Sequence, residues 1–159
     1  MKKVIALSCI CFISIAMFAG CSKNKDVTNY NYTFYDENDL WEAEYKVEGS
    51  ITFYTNEKGA LDVDSHMVDA LIVVYKGDLQ DLEGIRHVKI SYAGALMGGA
   101  LETEYEEGEH INSKVFKLVS GGSGSTQPVD DVITVTIQID DWEIQTLELT
   151  NAKSKFETY

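Results

Sequence analysis

From residue 40 onward, apolar and polar positions alternate with a period of two, the spacing that sends successive side chains to opposite faces of a β-strand. Trp41, Ala43, Tyr45 and Val47 share one face, against Glu42, Glu44, Lys46 and Glu48 on the other. This predicts a half-buried strand over residues 40–48 with its acids in solvent, where charge discourages edge-to-edge pairing. Ile51, Phe53 and Thr55 continue the pattern in a second strand, and Asn56-Glu57-Lys58-Gly59 marks a turn after it. Residues 70–76 (ALIVVYK) are apolar on both faces, as a central strand is, and Gly77-Asp78 stops them. Val88, Ile90 and Tyr92 alternate with His87, Lys89 and Ser91, and Leu101, Thr103 and Tyr105 alternate with Glu102, Glu104 and Glu106. A short strand is expected over residues 115–119.

The C-terminal pair is the clearest. Ile133, Val135, Ile137 and Ile139 alternate with Thr134, Thr136 and Gln138; after Asp140-Asp141, Trp142, Ile144 and Thr146 alternate with Glu143, Gln145 and Leu147. Two such runs around an acidic turn predict a β-hairpin. No window sustains a 3.6-residue period, and residues 78–84 have room for one helical turn. Seven to eight short antiparallel strands without helices between them predict an all-β domain, an immunoglobulin-like or Greek-key β-sandwich. A β-barrel buries the same faces and is the alternative.

The N-terminus follows a different rule. Lys2 and Lys3 precede an apolar stretch over residues 4–16, and Met17-Phe18-Ala19-Gly20-Cys21 closes it. A secretory signal needs small residues at its cleavage site but no cysteine directly after them. The layout resembles a bacterial lipoprotein signal, which implies transfer of diacylglycerol to the Cys21 thiol and cleavage before it. Residues 1–20 are then a discarded signal peptide, which takes Cys9 and Cys11 with it. The mature chain keeps no free thiol, which excludes disulfide, zinc-thiolate and cysteine-nucleophile chemistry. Residues 21–38 are polar and read as a tether between lipid and domain, although Tyr30, Tyr32, Phe34 and Tyr35 leave open their docking as a first strand. The folded domain is expected over residues 39–150, with a tail over residues 151–159.

Leu40-Trp41-Glu42 opens the domain, and Val73-Val74-Tyr75-Lys76-Gly77 closes a strand within it. Val88-Lys89-Ile90-Ser91-Tyr92 then precedes a Gly/Ala-rich patch, residues 94–99, and Ser120-Gly121-Gly122-Ser123-Gly124-Ser125 precedes Pro128 and the terminal hairpin. In this order the elements resemble a group of small immunoglobulin-like β-sandwich lipoproteins of Bacillus-like Gram-positive bacteria. The resemblance implies a fold and a location at the outer face of the membrane, and no catalytic residue.

Charge narrows the partners. The 159 residues hold 13 basic and 26 acidic side chains; removing residues 1–20 takes away Lys2 and Lys3 and leaves a net of −15. Such a chain repels phosphate backbones and anionic headgroups, so it is expected to bind no nucleic acid. A hydrophobic fraction of 45% nonetheless provides for a core.

Candidate chemistry is sparse. Residues 120–128 (SGGSGSTQP) lack the helix and the Lys-Ser/Thr end of a phosphate loop, and read as an inter-strand loop. Residues 94–100 (GALMGGA) read as a tight corner. Asp62, Asp64 and His66 have the spacing that starts a calcium loop, but Met67 and Val73 stand where the loop needs glycine and its last acid. Asp36, Glu37 and Asp39, with Glu102, Glu104, Glu106, Glu107 and Glu109, keep a calcium-dependent structural module as an alternative. Glu102, Glu104 and Glu106 would stand about 7 Å apart along one strand face, within the separations glycosidases use, which makes a small hydrolase the remaining alternative. His66, His87 and His110 show no ligand spacing. The leading reading is a non-enzymatic binding module of the cell envelope. It needs no cofactor, is held to the membrane through Cys21, and recognises a protein, peptide or cell-wall ligand.

Overall fold

The computed structural model describes residues 25–153. They form eight strands, β1 (Lys25–Glu37), β2 (Trp41–Thr55), β3 (Leu61–Tyr75), β4 (His87–Ala93), β5 (Gly98–Glu104), β6 (Val115–Gly122), β7 (Ile133–Ile139) and β8 (Gln145–Ala152), with a 3-10 turn at Leu79–Leu82. The protein is all-β. Every pairing is antiparallel, and the strands make one sheet in the order β5-β4-β7-β8-β1-β2-β3-β6. β8 is the hinge of this sheet: its first half pairs β7 from Ile133↔Leu149 to Ile137↔Gln145, and its end pairs β1 from Thr33↔Ala152 to Tyr35↔Thr150. The sheet curls there into a nearly closed, barrel-like form whose margins are β5 and β6.

Alternation builds the core. In β7, Ile133, Val135, Ile137 and Ile139 are buried while Thr134, Thr136 and Gln138 are half-exposed. Val88, Ile90 and Tyr92 of the neighbouring β4 lie beside them in register, and Trp41, Ala43, Tyr45 and Val47 of β2 join the same core. Tyr45 and Tyr92, 5.1 Å apart, bridge the two halves, and Trp41 packs 4.9 Å from Tyr75 and 6.1 Å from Phe116 within one of them. Offset and tilted pairs at these separations add to what burial alone gives.

Four expectations need correction. Residues 21–38 are not wholly a tether, because Lys25–Glu37 is β1, with Phe34 fully buried and Tyr30 and Tyr32 packed against the core. Residues 40–48 and 51–55 are one strand, since β2 runs through Gly49 and Ser50 without a break. The acidic face of β2 is not uniformly solvated. Glu44 is buried between its row partners Tyr35 and Ile72, and Lys46 Nζ lies 3.0 Å from its carboxylate. The last hairpin has a five-residue loop, residues 140–144, in which Trp142 N–H donates to the Ile139 carbonyl at 2.8 Å. β8 therefore turns Leu147 and Leu149 inward and leaves Ile144 exposed. Residues 1–20, Cys21 and residues 154–159 lie outside the described residues.

β1, β2 and β3 outrun their neighbours. β6 accompanies β3 only from Val74 to Met67, and β8 accompanies β1 only from Tyr35 to Thr33. Residues 25–31, 49–55 and 61–66 thus project as a three-stranded arm, about 20 Å long at the strand rise of about 3.3 Å per residue. At its tip, Asn56 Oδ1 accepts the Lys58 and Ala60 amides and Gly59 adopts φ 79°, which a side chain would strain.

Candidate functional site

The most concentrated buried polar chemistry surrounds Asp69. Residues 67, 69, 71, 73 and 75 of β3 point inward, so an acid in this phase must enter the core, and Asp69 is only 2% exposed. Its Oδ2 accepts the Tyr45 and Tyr92 hydroxyls, each at 3.1 Å, and its Oδ1 accepts Ser120 Oγ at 2.5 Å. The carboxylate joins β2 and β3 of one half-sheet to β4 of the other and to β6 at the margin. Burial pushes the Tyr45 phenol far above its ordinary value near 10, and the negative charge of Asp69 pushes it further; Tyr92 is raised for the same two reasons. Phenols held so firmly protonated are hydrogen-bond donors rather than nucleophiles or bases. The cluster ties the sheet halves together.

A second polar knot closes the loops beside it. Gln127 is fully buried; its side-chain oxygen accepts the Leu96 amide at 3.1 Å and its amide nitrogen donates to Asp131. Tyr32 OH donates to the Gln127 carbonyl, and Ala95 N–H donates to Asp131 at 2.8 Å. The Ala95 amide, with those of Val132 and Gln127, holds the Asp131 carboxyl below the usual carboxylate range. Both glycine-rich segments are absorbed here. Residues 94–97 make a turn closed by Gly94 N–H on the Met97 carbonyl at 2.8 Å, and a side chain on Gly94 would collide with Gln127. Ser120, Gly121 and Gly122 belong to β6, opposite Asp69, Val68 and Met67.

The other candidates are dispersed. Glu102 binds His87 Nε2 at 3.0 Å and Lys89 Nζ at 3.1 Å, and these two donors hold its carboxyl below the usual range. Glu104 is exposed on the same strand, and Glu106 lies beyond it in a turn where its amide donates to Glu109. Asp36 accepts the Glu148 amide at 3.0 Å, and Glu37 pairs with Lys76 at 3.3 Å. Asp62, Asp64 and His66 line one face of the arm, with Asp62 accepting Tyr54 OH at 3.4 Å. Among the described residues no three His, Cys, Asp or Glu side chains converge as a metal site. His110 lines a cleft of about 320 Å³ with Leu79, Gln80, Glu83 and Ile111, and neither His66 nor His87 lines it.

On the outward face of β2, β3 and β6 lies a cleft of about 190 Å³ that sequence reasoning missed. Val68, Ala70, Ile72 and Val119 form its apolar floor, and Lys46, Lys117 and Glu48 are charged residues of its lining. The register explains it: Ala70 lies opposite Lys46 and Val119, and Ile72 opposite Lys117. The even-numbered apolar residues of β3, which made that strand read as doubly buried, form this floor. Among the described residues Lys117 has no ion-pair partner. No known protein family, curated protein or solved structure matches the chain.

Proposed function

We propose that the chain is a lipid-anchored, non-enzymatic binding module on the outer face of a bacterial membrane, in line with its resemblance to small envelope lipoproteins. The cleft on β2, β3 and β6 carries this reading. Lys117, which has no ion-pair partner among the described residues, stands over an apolar floor and suits an apolar group that bears a carboxylate, while Lys46 is already paired with Glu44. Peptides with a free C-terminus and cell-wall stem peptides both have that chemistry. Against a hydrolase stands the use already made of the suggestive side chains: Glu102 is held by His87 and Lys89, and Asp69 by three hydroxyls.

Calorimetric titration of the full chain with purified muropeptides, and with peptides ending in an apolar residue, tests the reading. Binding is expected, and Lys117→Glu should weaken it about tenfold or more, since a hydrogen bond to a charged group is worth about 1.5–3 kcal/mol. Absence of binding, or binding indifferent to Lys117→Glu, refutes the assignment to this cleft.

A further inference from the structure

The arm has two faces and two edges of different character. Its outward face carries Lys25, Asn29, Tyr54, Asp62, Asp64 and His66 around a single exposed Val27. The opposite face continues the plane of the core and carries Ile51, Phe53, Leu61 and Val63, bordered on β1 by Thr28 and Asp26. Phe53 stands directly across from Val63, and Leu61 across from Thr55. Leu61 is 76% exposed, Val63 56% and Phe53 41%. Contiguous exposed apolar residues at the end of a projecting sheet mark a contact surface. The edges are blunted by charge, with Asp62, Asp64 and His66 on β3 and Lys25 and Asp26 on β1, which disfavours addition of another strand.

The register identifies the occupant. Lys25 pairs with Tyr54, so β1 begins at the tip of the arm beside the β2–β3 turn. Cys21 precedes Lys25 by four residues, which span at most about 14 Å. Leu61 is two strands across from the start of β1, about 10 Å at the usual strand spacing. A lipid on Cys21 therefore brings the membrane to this end of the molecule.

We propose that the Ile51, Phe53, Leu61 and Val63 face of the arm rests on the lipid surface to which Cys21 is anchored. The proposal rests on the acylation of Cys21. Glu57 and Lys58 at the turn then lie among the headgroups, while Phe53, Leu61 and Val63 reach the headgroup–acyl boundary, the depth at which amphipathic surfaces settle. Six charged groups crowd the tip: Lys25, Asp26, Glu57, Lys58, Asp62 and Asp64. Their net sign is negative, which favours a zwitterionic surface over an anionic one. The diacylglycerol on Cys21 supplies residence at the membrane, and the protein-borne contact at the arm fixes the orientation of the domain on it.

The test uses the full-length acylated protein in phosphatidylcholine vesicles whose acyl chains carry a nitroxide quencher. With Cys9 and Cys11 removed and Cys21 acylated, an introduced cysteine is the one reactive thiol, so Leu61→Cys and Glu83→Cys each accept a single fluorophore. Glu83 follows the 3-10 turn at the opposite end of the domain and is exposed. Quenching several-fold stronger at position 61 than at position 83 is expected. Equal quenching, with mass spectrometry showing lipid on Cys21, overturns the docking and leaves the anchor intact. Protein without lipid on Cys21 overturns both, and the same spectrum identifies the anchor as the failing step. A signal at position 61 that grows with protein density and ignores the quencher assigns the face to a second copy of the chain and overturns the proposal.

Discussion

Removing the Asp69 carboxylate should cost more than any surface acid in this protein, and restoring an apolar environment around the gap should return most of the loss. Asp69→Ala leaves the Tyr45 and Tyr92 hydroxyls facing each other across the core without their acceptor, one fully buried and the other nearly so. An unsatisfied buried donor costs about 1–3 kcal/mol, so the two together predict a loss of about 2–6 kcal/mol. Ser120 lies on the margin strand and turns to water instead, so it adds little. Against a total stability of about 5–15 kcal/mol, such a loss brings the domain close to unfolding. The triple variant Asp69→Leu/Tyr45→Phe/Tyr92→Phe removes donors and acceptor together and should recover most of it, because a buried charge also bears a desolvation cost that apolar packing avoids. Urea denaturation of wild type, single and triple variants measures both differences. An Asp69→Ala variant within about 0.5 kcal/mol of wild type, the usual range for a surface change, would refute the account of this cluster.

Two further outcomes follow from the same core. Ile137→Asp places an unpaired carboxylate inside the β7 face and should unfold the domain, whereas Gln138→Lys on the half-exposed face should shift the thermal midpoint little; equal destabilisation would contradict the register of β7. Burial and the Asp69 charge raise the phenols of Tyr45 and Tyr92 above their unfolded value near 10, Tyr45 the more strongly. Stability from them is therefore complete below pH 10 and is lost as pH rises further, and absorbance at 295 nm should show these two of nine tyrosines ionising only with unfolding. Their titration together with the remaining tyrosines, while the fold persists, would contradict the buried network.

Strand content was legible wherever one face is wet and the other dry. β7 and β4 show the alternation without interruption, and both form where the period places them. β1 was masked because Tyr35 and Thr33, on the outward face, are partly or fully covered there, so its two faces differ little in composition. Gly49-Ser50 reads as a break in β2, yet the strand continues because Gly49 admits the Tyr30 ring and the His66 carbonyl against its backbone, which a side chain would displace. The candidate site left weaker traces. Asp69 gave a usable one, an acid in phase with Met67, Leu71, Val73 and Tyr75; the cleft did not, since apolar residues on both faces of β3 look alike whether covered or open. Gln127 carries no periodic signal at all, because its burial depends on the path of a loop.

We propose that this domain works at a membrane surface, attached through Cys21. Growth with a clickable palmitate analogue, followed by separation of precursor from mature protein, measures it directly. The wild-type chain should carry the label and migrate as the form lacking residues 1–20, while Cys21→Ser should be unlabelled and retained as uncleaved precursor. A processed wild-type chain without lipid, or a processed and labelled Cys21→Ser chain, would contradict the account.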